Sequence, residues 1–150
     1  MLSTVIGDNG KLILAPSKYP LWVTCSPPML EQVLLNLVVN ARDAAPRKAM
    51  ITMTTTAVSI TNEYLVEHPD ARIGSFVCMS VADNGCGISA KDLLHIFEPF
   101  FSSKKKKGTG LGLHVSQAIV GQHNGWMEVE TLPRRGSTFS VFLPAIEFPK

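Results

Sequence analysis

Three clusters in this 150-residue sequence have residue types and spacings that could do chemistry. Asn36 and Asn40 stand four apart, with Asp43 three further on, a spacing that lines them up along one face of a helix. Carboxamide oxygens are neutral, hard ligands. They can hold Mg²⁺ beside a polyphosphate without adding charge repulsion, and magnesium keeps waters and substrate phosphates as its other ligands. The same face lies opposite a Leu30/Leu34/Leu37 stripe and could equally be plain solvated surface. Asn is a middling-to-poor helix former, however, and two of them among Leu and Val point to a specific use. The second cluster, Asp83-Asn84-Gly85-Cys86-Gly87-Ile88, has the composition of a tight turn. It can also be a ligand wall: glycines let backbone and ligand approach closely, and the Asp83 carboxylate can accept from an exocyclic amine. Such an acceptor selects adenine over guanine, whose matching position is an oxygen. The third, Gly108-Thr109-Gly110-Leu111-Gly112-Leu113, is neither a Walker A loop nor a dinucleotide fingerprint, because no lysine follows the glycines and Leu113 stands where a third glycine belongs. A glycine-rich turn entering a helix still offers unpaired N–H groups and a positive dipole end, which suit phosphate. Lys104 to Lys107 just upstream are either a solvated charge run or the electrostatic complement of a triphosphate.

The elements that must carry these clusters are readable from periodicity. Residues 11–14 and 21–24 read as short strands. Ser26-Pro27-Pro28 is a helix start signal, Ser as cap, and residues 29–45 keep a helical period until Pro46 stops it. Residues 51–58 alternate and are β-branched, hence a strand. Residues 61–74 read as a long polar connection. Residues 75–82 are apolar on both faces, the pattern of a central strand. The irregular stretch 83–109 is too long for an ordinary connection and reads as a binding loop. A second helix is expected over 111–122, then strands 126–131 and 137–143 joined by a Leu-Pro-Arg-Arg-Gly turn. Strand runs with inserted helices, without strict β-α-β alternation, predict an α+β fold with helices on one face of a mixed sheet.

Composition narrows the class. The length suits a single domain spanning 1–150, within the ~100–200 residues typical of one. A net charge of +2 gives no nucleic-acid footprint. No apolar run reaches the ~18 residues of a membrane span, so direct membrane contact is not expected. Three scattered cysteines, Cys25, Cys78 and Cys86, read as reduced thiols in a cytosolic protein.

Taken together and in order, five boxes resemble the catalytic, ATP-binding domain of sensor histidine kinases of two-component systems. They are Leu35-Asn36-Leu37-Val38-Val39-Asn40-Ala41, Asp83 to Ile88, Ile96-Phe97-Glu98-Pro99-Phe100-Phe101, Gly108 to Leu113, and Gly136-Ser137-Thr138-Phe139. The Asn40-Ala41-Arg42-Asp43-Ala44 string is similar to one branch of those kinases. The resemblance implies the Bergerat, or GHKL, fold: a two-layer sandwich of a mixed sheet of about five strands with three helices on one face. It implies that Asn40 is the Mg²⁺ ligand with Asn36 beside it on the phosphate side. It makes Asp83 the adenine-reading carboxylate, supported through water by the Thr138 hydroxyl. Gly85, Gly87 and Ile88 would shape the adenine wall, and Phe97, Phe100 and Phe101 would anchor an ATP lid. Gly108, Thr109, Gly110, Leu111, Gly112 and Leu113 would hold the phosphates, with Lys104 reaching toward them.

Two departures from the family stand out. Lys105-Lys106-Lys107 fills the gap where relatives place another glycine, and Asp43-Ala44 replaces a Lys-Tyr pair, removing an adenine-stacking ring. Asp43 would then order water or the metal. None of His68, His95, His114 and His123 fits the phosphoacceptor, so the resemblance implies a separate helical hairpin bearing the reactive histidine before residue 1, a downstream response-regulator receiver, and a homodimeric parent that could be membrane-anchored, the fragment itself being monomeric. Two alternatives stay open. An ATPase of the same fold group would need a Glu one turn before the metal-binding Asn; that place is Asn36, and Glu31 is nine residues before Asn40. A degenerate nucleotide-binding module would bind without transfer.

Overall fold

A computed structural model describes residues 10–45, 48–101 and 112–146. The residues apolar on both faces form β4 (Gly74–Asp83), and they sit where that pattern requires, between β3 (Met50–Ile60) and β6 (Gly136–Ile146). The other elements are β1 (Lys11–Ala15), β2 (Trp22–Val23), α1 (Pro27–Ala44), α2 (Asn62–Glu67), α3 (Ala90–Leu93), α4 (Gly112–Gln122) and β5 (Trp126–Leu132). The sheet runs β1-β3-β4-β6-β2, with β5 also on β6. Among the described residues only the β1–β3 pair is parallel. The mixed sheet has six strands among the described residues, as many as the strands read from the sequence, and the two-residue β2 lies within the strand expected over 21–24.

On one face, α1 buries Val33, Leu37, Val38 and Ala41 against Ile51, Val81, Phe139 and Val141 of the sheet. Helix α4 adds Leu113, Ile119 and Val120, and the α3 segment adds Leu93 and Ile96. Three helices share this face, as expected. Helix α1 starts on two prolines, whose missing N–H groups have no partner in a first turn anyway. It ends at Ala44 because Ala45, preceding Pro46, is kept out of the helical region (φ −121°, ψ 89°). Ser26 makes no side-chain cap; its N–H donates to His123 Nε2 at 3.1 Å, tying the start of α1 to the end of α4.

The opposite face differs from the expectation. The segment read as a plain connection contains α2, whose Tyr64 and Leu65 pack over Ile60, Phe76, Cys78, Trp126 and Phe142. Trp126 stacks on Phe142 at 4.8 Å and meets Phe76 edge-on at 4.6 Å. Six residues are too few to show a helical period in sequence. Glu128 is the polar hub here: it accepts from Tyr64 Oη at 2.6 Å and Trp126 Nε1 at 2.8 Å, with His68 Nδ1 at 3.1 Å. Burial, then the Glu128 carboxylate, pushes the Tyr64 phenol well above its ordinary range. No helix among the described residues is long and apolar enough to cross a membrane.

Candidate functional site

Asp83 is the last residue of β4, and its position is set by the turn that follows. Its Oδ1 accepts from Gly85 N at 2.8 Å and Ser137 N at 3.3 Å, which fixes the plane of the carboxylate. The turn is wedged between α1 and the β5–β6 hairpin. Cys86 N donates to Ala44 O at 3.1 Å, Arg134 N to Cys86 O at 2.7 Å, and Ile88 N to Thr131 Oγ1 at 2.8 Å. There is no room for a side chain at Gly85, where a Cβ would lie 2.5 Å from Ala44 O. Gly87 (φ +73°) faces Leu132 O in the same way. Asn84 faces away from the wall: its carboxamide bridges Lys48 O and Met50 N and holds the start of β3.

Strand register corrects one expected residue. Thr138 pairs with Ala82 and Glu130, whereas Asp83 lies one residue on, and side chains alternate between faces. Thr138 therefore shares the Glu128 face, opposite to the helices. Buried Ser137 takes the place beside Asp83, with its Oγ 2.8 Å from Thr131 Oγ1. The signal is present in the sequence: Phe139, two residues on from Ser137, is a core residue.

At the other end, Asn36 is not on a solvated face. Its Nδ2 donates to Gly112 O at 3.2 Å and to Ser116 Oγ at 3.1 Å, while its Oδ1 accepts from Gln32 Nε2 at 2.9 Å. Asn36 thus holds the first turn of α4 against α1. At Asn36 the face opposite the Leu stripe meets a second helix, which single-helix periodicity cannot show. Leu113 is buried in the core, so only its main chain lies at the start of α4. Phe97 and Phe101 pack partly buried against the core, whereas Phe100 is exposed with φ +64°. His114 Nδ1 meets Phe97 O at 3.2 Å and joins α4 to this segment. Asp43 pairs with Arg42 at 3.1 Å. Lys104, Gly108, Thr109, Gly110 and Leu111 lie outside the described residues.

One helix connects the two ends. Ala44 touches the Asp83 turn and Asn36 touches the start of α4, eight residues apart, which is about 12 Å along α1 at ~1.5 Å per residue. Asn40 lies halfway. Among the described residues no group of three or more His, Cys, Asp or Glu converges as a metal cage would. A magnesium ion held mainly by phosphates and waters needs only one or two protein oxygens, and the carboxamide of Asn40 is a donor of that kind.

The family described as histidine kinase-, DNA gyrase B-, and HSP90-like ATPase matches residues 25–147. The chain belongs to that family. It is 36% identical over 97% of its length to the sensor kinase CckA of Brucella abortus (strain 2308), and 41% identical over 81% of its length to the sensor histidine kinase ZraS of Klebsiella oxytoca. It spans 16% and 23% of those two proteins. Among solved structures, the catalytic domain of histidine kinase ThkA superposes with a TM-score of 0.70 at 26% identity, covering 95% of this chain and 83% of that one. The chain is thus an ATP-binding catalytic domain of the histidine-kinase kind, and the GHKL fold inferred from the five boxes is the fold present.

Proposed function

We propose that this domain binds Mg·ATP between α1 and the glycine-rich segment and positions the γ-phosphoryl for in-line transfer to a histidine on a separate helical hairpin of the same kinase. A response-regulator receiver then takes the group, in the cytoplasm, within a homodimeric kinase. The observation that carries the reading is the layout along α1, with a carboxylate turn at one end, the entry of the glycine-rich string at the other, and Asn40 between. Asp83 accepts from the adenine amine, and Gly85, Gly87 and Ile88 form the wall beside it. Asn40 would hold the magnesium, with Asp43 one turn on ordering its waters. The ion supplies charge neutralisation at the phosphates. Gly108 to Leu113 offer main-chain N–H groups and Lys104 a cation to the same phosphates. Phosphoryl transfer asks little covalent chemistry of the protein, and positioning with charge neutralisation does most of it.

Hydrolysis as the main activity would need a base where Asn36 stands. Asn36 carries an amide, which cannot take a proton near neutral pH, and its nitrogen donates to α4. Each of the four histidines has a partner within the domain: His68 with Glu128, His95 with Glu98, His114 with Phe97 O, and His123 with Ile119 O and Ser26 N. This arrangement supports an acceptor histidine from outside. The test mixes the chain with labelled Mg·ATP and a histidine-bearing hairpin from a related kinase. Labelled phosphohistidine on the hairpin, with negligible phosphate release by the chain alone, is expected. Nucleotide binding without transfer, or turnover near ordinary ATPase rates, overturns the proposal.

A further inference from the structure

Ser116 is fully buried, one of two buried polar side chains among the described residues, on an α4 face otherwise made of Leu113, Ile119 and Val120. A small polar residue there gives up apolar packing, and it is tolerated because its hydroxyl meets the Asn36 nitrogen. The orientation of that amide is determined by its neighbours. Gly112 O can only accept, so the Asn36 nitrogen must face it, and Gln32 one turn earlier supplies the donor for the oxygen. Four residues, two successive turns on each of two helices, are thereby locked in one arrangement. A second link between the same helices lies at the far end of α4. His123 donates through Nδ1 to Ile119 O at 2.8 Å, which leaves Nε2 to accept from Ser26 N.

We propose that Ser116 is a positioning residue for phosphoryl transfer: through the Asn36 carboxamide it holds the first turn of α4, where the glycine-rich string ends, at a fixed place against the Asn40 face of α1. The inference rests on the kinase reading above. The base end is built from other contacts, between the Asp83 turn, Ala44 and the β5–β6 hairpin. Loosening Ser116 should therefore shift the phosphates relative to Asn40 and leave the adenine where it is. A displacement of that kind lowers the rate of transfer while nucleotide affinity stays almost constant.

The experiment compares wild type with Ser116→Ala, Ser116→Thr and His123→Ala in transfer to an isolated histidine hairpin, alongside ADP affinity measured by calorimetry. Ser116→Ala should lower kcat about three- to tenfold, the equivalent of one net hydrogen bond, with ADP affinity within about twofold of wild type. Ser116→Thr, which keeps the hydroxyl, should recover most of the rate. His123→Ala removes the distant link and should lower the melting temperature without that loss of kcat. Because position 116 is tightly packed, exposed Gln32 provides a second pair: Gln32→Glu turns the donor into an acceptor and should mimic Ser116→Ala, and Gln32→Ala should do so more weakly. Unchanged kcat in both Ser116→Ala and Gln32→Glu sinks the inference, as does an equal loss in His123→Ala. Absence of transfer by the wild-type chain defeats the kinase reading instead, and the two failures are distinct.

Discussion

The two ends of the site are built from different material. The base end is joined through main-chain N–H groups: those of a strand end, a turn and a hairpin donate to carbonyls and to the Asp83 and Thr131 side chains, around glycines that leave no room for a side chain. The phosphate end is side chain, namely a carboxamide, a buried hydroxyl and a glutamine bridging two helices. For a rigid, planar group such as the proposed adenine, local chain geometry would suffice. Where, on the proposed reading, charge and metal are matched to phosphates, the spacing comes from tertiary packing of α1 against α4. Substitutions at the base end should therefore act through local fit, and those at the phosphate end through helix placement.

The sharpest break should come at Gly136. Its φ of +117° suits glycine alone, and a Cβ there would stand 2.0 Å from Asp83 O. Strained backbone costs ~1–3 kcal/mol and overpacking ~1–3 kcal/mol more, so Gly136→Ala should lose about 3 kcal/mol or more of stability. ATP affinity should fall with it, because the same hairpin carries Ser137. Chemical denaturation and ATP titration of that variant measure both. If Gly136→Ala binds ATP like wild type, the base end is not the close-fitting main-chain structure described. Next in size is Asp83→Asn. The shape is kept, but the group becomes a donor as well as an acceptor, and losing a charge-assisted bond of ~1.5–3 kcal/mol should weaken ATP about ten- to a hundredfold. Calorimetry that finds equal affinity removes Asp83 from the site.

Much of this contrast is legible in the amino-acid sequence. The Asp83 turn stands out because its chemistry is local: a carboxylate and glycines within six residues, following a strand with apolar residues on both faces. The helical period marks α1, and the Pro46 stop places its end within two residues. The rest depends on contacts between distant segments. Periodicity leaves Asn36 open between solvated surface and a specific use, because one helix's period cannot reveal another helix packed on its polar side. The family resemblance puts Thr138 beside Asp83, and a one-residue difference in register, visible only through the pairing with Ala82, moves it across the sheet. Helix α2 leaves no periodic trace because its stability comes from Tyr64 and Leu65 meeting Trp126 and Phe142, sixty or more residues away along the chain.

The back of the sheet is the control region for both ends. Tyr64→Phe removes one of the groups bonded to Glu128 and should cost about 1 kcal/mol of stability, with no change in ATP affinity. The pH response has a definite sign. The Tyr64 phenol and the Cys78 thiol are both raised by burial from ordinary values of 10.0 and 9.0. The unfolded chain therefore releases these protons before the folded one does. Their contribution is fully present below about pH 9 and is lost above it, first through Cys78 and then through Tyr64. Stability measured from about pH 7 to 11 should decline in the upper range, and less steeply in Tyr64→Phe. An identical decline in that variant separates Tyr64 from the effect.

The smallest effect expected is on thiol reactivity, and it separates the regions without any substitution. Cys78 is buried on the back face with its thiol pushed up, so little thiolate forms and little reagent reaches it. Cys86 is exposed on the Asp83 turn, in the wall assigned to adenine, and Cys25 is half-buried just before α1. Alkylation at about pH 8 should therefore mark Cys86 first and Cys78 last. Saturating ADP should slow Cys86 and leave Cys25 unchanged, because occupancy of the base end shields one thiol and not the other. Mass spectrometry of each cysteine peptide over time resolves the three rates. Equal slowing of Cys25 and Cys86 would mean that the nucleotide tightens the whole domain; slowing of neither would place the base away from the turn.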